Sequence, residues 1–98
     1  MKLEQITAQC EEISNILKYL SHPKRLLIMC LLSKGSQSVN DISEYCEMSQ
    51  SQTSQSLKRM TSEGLLQSHK EGNYTLYSIK DKRIIHLMNQ IEKIFCCN

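Results

Sequence analysis

A mainly α fold with one small β-hairpin is what this sequence of 98 residues predicts. Three observations predict it. Apolar residues recur at threes and fours over most of the chain, the signature of amphipathic helices. That period gives way to alternation only between Leu65 and Ile79, as half-buried strands require. Two helix-start signatures, at Ser38 and Ser49, stand close together just before the change. A chain this long holds one hydrophobic core, so residues 1–98 are predicted to form a single domain.

The elements follow in order. Leu3, Ile6, Cys10, Ile13, Leu17 and Leu20 share one face of a first helix over residues 4–20. Ser21-His22-Pro23 ends it and opens the next, because Pro lacks only an N–H that would have no partner in a first turn. The run LLIMCLL that follows is apolar nearly all round, which predicts a helix buried on more than one side. Ser33-Lys34-Gly35-Ser36 closes it. A short helix opens at Ser38 with Asp41 in its first turn and sets Val39, Ile42 and Cys46 on one face. After a turn through Glu47-Met48, the capping box Ser49-Gln50-Ser51-Gln52 starts another helix. It runs to about Glu63, where Gly64 supplies a stop. Leu65–Lys70 and Tyr74–Ile79 flank the turn Glu71-Gly72-Asn73 as a hairpin. Ile84, Leu87, Met88, Ile91 and Phe95 mark a last helix of roughly four turns.

Two short helices joined by a tight turn and followed directly by a hairpin make a winged helix-turn-helix, ordered ααααββα. On the helix after Ser49, Thr53, Leu57 and Met60 point inward, while Ser51, Ser54, Gln55 and Lys58 share the opposite face. That outward face is short-sided and rich in hydrogen-bonding groups, as a major groove accepts. Gln can pair bidentately with adenine, and Ser can reach bases or phosphates. The candidate contacts to double-stranded DNA are therefore Ser38, Gln50, Ser51, Ser54, Gln55 and Lys58, with Lys70 and Asn73 on the hairpin.

Other classes are set aside on composition. With 40% hydrophobic and 22% charged residues, the chain is globular rather than disordered. The net charge of +2 is modest, and residues 50–80 carry most of the basic excess: Lys58, Arg59, Lys70 and Lys80 against Glu63 and Glu71. The longest apolar run, Leu26–Leu32, is too short to span a bilayer, and the N-terminal MKLEQITAQCEE lacks the basic-then-apolar pattern of a signal peptide. Five cysteines, an odd number set within helical segments, predict a reducing cytoplasm rather than a disulfide scaffold. Gly35, Gly64 and Gly72 cannot form a phosphate-cradling loop, and no H-E-x-x-H, G-x-S-x-G or C-x-x-C occurs. A binding module without a cofactor is the expectation, not an enzyme.

The runs HPKRLLIMCLLSKG and SVNDISEYCEMSQSQTSQSLKRMTSEGLLQSHKEGNYTLYSI resemble the ArsR/SmtB family of bacterial winged-helix repressors. The resemblance covers about residues 15–97. It implies a homodimer built through the first and last helices, binding an operator and releasing it on sensing a chemical. The apolar stripes of those helices independently ask for a partner surface. This chain has Ser56 where family members often carry His, and Thr53 where they carry an aliphatic residue.

The resemblance also bears on the signal. Arsenic- and cadmium-sensing relatives place C-x-C in the helix before the recognition helix, where this chain has only Cys46, expected to be core. Zinc- and cobalt-sensing relatives place Asp and His ligands along the last helix, where only Asp81 and His86 stand here; four ligands are not assembled. Cys30 in the second helix and Cys96 at the end of the last are similar to the thiol pair of the BigR/SqrR/HlyU persulfide and redox sensors. The resemblance implies that they face one another within a protomer and can be joined by a sulfur bridge. Cys97 is a possible substitute for Cys96. Cys10 is expected at the dimer seam. Joined with Cys96 and Cys97 it offers the alternative of a thiolate site for arsenite or Cu(I). A sensorless regulator is a further alternative. His22, His69 and His86 carry no assigned chemistry.

Overall fold

The computed structural model describes residues 2–96; Cys97 lies outside them. Five helices and three strands run in the order α1 (Leu3–Tyr19), α2 (Pro23–Leu32), β1 (Gln37–Ser38), α3 (Val39–Cys46), α4 (Gln50–Ser62), β2 (Leu66–Glu71), β3 (Tyr74–Ile79) and α5 (Lys82–Phe95). The helix boundaries follow the local signals. Pro23 is the first residue of α2, Ser38 caps α3 by accepting from the Asp41 N–H, and Asp81 caps α5 by accepting from the Arg83 N–H. Arg83 lowers the Asp81 carboxyl below its ordinary value, first through side-chain hydrogen bonds and then through that backbone bond.

The sheet corrects the expected lone hairpin: it has three antiparallel strands in the order β1-β3-β2. Gln37 pairs with Tyr77 and Ser38 with Leu76, while β2 and β3 pair from Leu66↔Ile79 to Glu71↔Tyr74. The hairpin turn is Gly72-Asn73, with φ 62° at Gly72. A two-residue hairpin asks for positive φ at its first central position, which glycine meets without a Cβ penalty.

The core lies where α2, α3, α4 and α5 meet the sheet. Ile28, Met29 and Leu32 of α2, Ile42 and Cys46 of α3, Leu57 and Met60 of α4, and Ile84 and Met88 of α5 are buried together with Leu66, Tyr77 and Ile79. Helix α1 stands apart. None of its residues is buried within the chain, and only Ile16 and Tyr19 rest partly on the core. Its middle is tied to the first turn of α5 through an Arg83–Glu12 ion pair at 2.6 Å.

Candidate nucleic-acid interface and thiol pair

The turn between α3 and α4 is short and backbone-closed. Glu47 takes a left-handed conformation at φ 53° and ψ 52° as the cap of α3, and the Met48 N–H donates to the Ser43 carbonyl at 3.0 Å. Ser49 then caps α4 in a reciprocal box: the Gln52 N–H donates to Ser49 Oγ at 3.1 Å, and the Ser49 N–H donates to Gln52 Oε1 at 3.4 Å. Two otherwise orphaned donors are thereby satisfied. The box fixes the rotation of α4, which fully buries Thr53, Leu57 and Met60. Buried Thr53 keeps its hydroxyl bonded to the Ser49 carbonyl at 2.8 Å.

The opposite face of α4 presents Gln50, Ser51, Gln55 and Lys58 to solvent, with Ser54 half-buried at its edge. The Gln50 side-chain amide donates to Asn40 Oδ1 of α3. Ser38 is half-buried at the end of β1 and its oxygen serves the α3 cap. Lys70 and Asn73 are exposed on the hairpin.

Along one flank of α4 runs a polar groove of about 690 Å³, lined by Lys18 and Tyr19 of α1, His22, Lys24 and Arg25 at the start of α2, and Gln55, Ser56, Arg59 and Glu63. No local pattern in the sequence announces it. Arg25 is its fixed point: it pairs with Glu63 at 2.9 Å and also donates to the Tyr19 carbonyl at 3.0 Å. Both partners of the ion pair are largely buried, so one guanidinium clamps the end of α1 to the end of α4.

The thiols lie on a different side. Cys30 is half-buried on α2, and Cys96 is exposed as the cap of α5. Just beyond the end of α2, Lys34 donates to Glu92 of α5 at 2.5 Å. Burial pushes the Cys30 thiol above its ordinary range; the nearby charges of Glu92 and Cys96 add to this, and Lys34 opposes it. Cys46 is fully buried, its thiol also raised by burial, and Lys24 donates to its carbonyl at 2.6 Å. Cys10 is exposed on α1. Among the described residues of the chain, no three His, Cys, Asp or Glu side chains gather as a metal would need.

Residues 22–68, from the cap of α2 to the middle of β2, match the bacterial regulatory protein arsR family. Over 96 residues the chain is 38% identical to the HTH-type transcriptional regulator YgaV of Escherichia coli, spanning 97% of each. The chain belongs to the arsR family. Solved structures agree with this assignment. The repressor BigR of Xylella fastidiosa superposes with a TM-score of 0.88 at 28% identity over the whole of both chains. Reduced HlyU of Vibrio cholerae superposes with a TM-score of 0.86 at 26% identity, over 96% of this chain and 99% of that one. As an arsR-family protein this is a DNA-binding transcriptional regulator and not an enzyme. Among its described residues no helix is long and apolar enough to cross a membrane.

Proposed function

We propose that the chain, one winged domain per protomer, is a homodimeric repressor whose affinity for operator DNA falls when Cys30 and Cys96 are joined by sulfur. The observation that carries this reading is the placement of the two thiols: one half-buried on α2, the other exposed on the cap of α5, close enough for the charge of Cys96 to act on Cys30. Two further features support it. Leu3, Ile6, Ile13 and Leu17 of α1 and Ile94 and Phe95 of α5 are large, apolar and exposed, a surface suited to a second copy. One structural relative, HlyU of Vibrio cholerae, was solved in a reduced form.

The chemistry suits a reducing compartment in which the thiols rest free. Exposed Cys96, as thiolate, attacks the outer sulfur of a small persulfide, taking that sulfur and releasing the donor as a thiolate. Cys30 then attacks the Cys96 sulfur and expels hydrosulfide, closing a disulfide. The two thiols supply the two electrons that reduce the transferred sulfur to sulfide, and their two protons pass to the released thiolate and hydrosulfide. A direct bond requires Cα atoms within roughly 7 Å. If each thiol carries a transferred sulfur, one persulfide displaces hydrosulfide from the other and leaves a three-sulfur bridge that spans a wider gap. Either bridge ties the end of α5 to α2, so it acts on DNA binding by favouring one dimer arrangement over another. Peroxide closes the direct bond by way of a sulfenic acid.

In this reading Gln50, Ser51, Ser54 and Gln55 enter the major groove, Lys58 meets a phosphate, and Lys70 and Asn73 meet the backbone beside the hairpin. Ser38 acts chiefly by holding α3. The test is duplex binding by fluorescence anisotropy before and after persulfide treatment, with mass spectrometry of the product. Wild type should lose affinity and show a cross-link between the Cys30 and Cys96 peptides, reversed by dithiothreitol. Cys30→Ser and Cys96→Ser should bind DNA when reduced and ignore persulfide, whereas Cys10→Ser, Cys46→Ser and Cys97→Ser should respond normally. A response to arsenite that needs Cys10 with Cys96 or Cys97, and that a chelator reverses, would instead establish a thiolate metalloid sensor.

A further inference from the structure

The geometry points to the groove between the end of α1, the start of α2 and the flank of α4 as a second DNA contact, one that grips phosphates of the backbone beside the recognition helix. This rests on the reading of the chain as a DNA-binding regulator and adds a surface to it.

The charge count singles the groove out. The whole chain carries twelve Lys and Arg against ten Asp and Glu, nearly balanced. The groove gathers four of those cations, Lys18, Lys24, Arg25 and Arg59, against the single carboxylate of Glu63. Not all four are available. Arg25 is committed to Glu63 at 2.9 Å, and Lys24 Nζ donates to the Cys46 carbonyl. Lys18 is left exposed without a carboxylate partner among the described residues. Arg59 has only a long 3.8 Å approach to Glu63, which Arg25 already holds, and its side chain is 77% exposed. Two cations therefore stand free on opposite walls of a concave surface, while Arg25 and Lys24 are held by bonds within the chain.

Position decides the partner. Gln55 lines the groove and also belongs to the outward face of α4. Arg59 follows it by four residues, one helical turn along the same side. A helix lying in a major groove is flanked by sugar–phosphate strands, and contacts there set register rather than sequence. Lys18 and Arg59 are placed for that work beside the base-reading Gln55.

Salt dependence of duplex binding tests this, because removing one phosphate-binding cation flattens the slope of log K against log salt by about one unit. Lys18→Ala and Arg59→Gln are both surface changes, and their folding is checked by circular dichroism. On a mixed-sequence duplex each should flatten the slope by about two units in a dimer, where each substitution falls twice. Lys82→Ala, exposed on α5 and away from the groove, should leave it unchanged. If wild type binds with its full slope and both groove variants keep that slope, the second contact is disproved while the regulator stands. If wild type fails to bind duplex at all, the regulator reading itself falls and takes the groove with it. Titration of DNA-free protein with inorganic phosphate at constant ionic strength separates a backbone contact from a free-anion site. Saturable binding that Lys18→Ala abolishes, with duplex slopes unaltered, would overturn the DNA assignment.

Discussion

Helix α4 closes its apolar face against its own chain, burying Thr53, Leu57 and Met60 completely; α1, four residues longer, buries none of its residues. Both helices are amphipathic, and both would be drawn alike from their periodicity. The difference is what stands opposite. Helix α4 meets α2, α3 and β2 in one core, whereas α1 touches that core only through Ile16 and Tyr19. Ile13 and Leu17 remain about half-exposed. The contrast divides the molecule into a reading unit that is complete within one chain and terminal helices that leave apolar surface for a second.

The sharpest way to break that division is to damage each half separately. Leu57→Ala should cost about 2–5 kcal/mol, as cavities in packed cores do, and chemical denaturation would record it. Ile13→Asn together with Leu17→Asn should leave the chain folded but shift sedimentation toward monomer. If the double variant unfolds instead, α1 belongs to the core after all. Ile91 is a poorer probe of the proposed dimer seam because it packs partly against its own chain's core. A subtler division lies within α4: Gln55→Ala should lose roughly 1–3 kcal/mol on the true operator by relaxing base preference. Lys58→Ala should weaken every sequence alike and flatten the salt slope by about one unit for each phosphate left unneutralised. Equal losses on all sequences for both would show that Gln55 reads no base.

The smallest effect concerns the thiol on α2. Glu92 raises Cys30 and Lys34 opposes it. Glu92→Gln removes the anion and leaves the cation, so the thiol should titrate at lower pH and its thiolate fraction near neutrality should rise. Alkylation by iodoacetamide, followed against pH in a variant whose only thiol is Cys30, should show a profile displaced to lower pH and a rate a few-fold higher near neutrality. A profile displaced to higher pH would mean that the ion pair acts on Cys30 by another route.

The helix-turn-helix was legible because its signals are local. Ser49 and Gln52 lie within one turn, and the inward set Thr53, Leu57, Met60 is a simple period. Strand β1 was not legible, since Gln37-Ser38 is too short to show alternation; it exists because β3 offers an unpaired edge at Leu76 and Tyr77. The Arg25–Glu63 clamp and the groove around it join residues far apart in sequence, with nothing local to pair them. Cys30 and Cys96 are likewise distant. Pairing them is what resemblance to a family implies, and no spacing in the chain suggests it.

Ser38 does two things at one position: its backbone lies in the sheet opposite Leu76, and its hydroxyl oxygen caps the helix that begins at the next residue. Wing and helix-turn-helix are therefore joined through a single residue. A backbone pressed against the hairpin tip would turn β3, carry β1 with it, and apply that torque directly to α3, which is tied to the start of α4 through Asn40 and Gln50. Ser38, Asn40 and Gln50 thus give a change of angle in the wing a bonded route to the recognition helix.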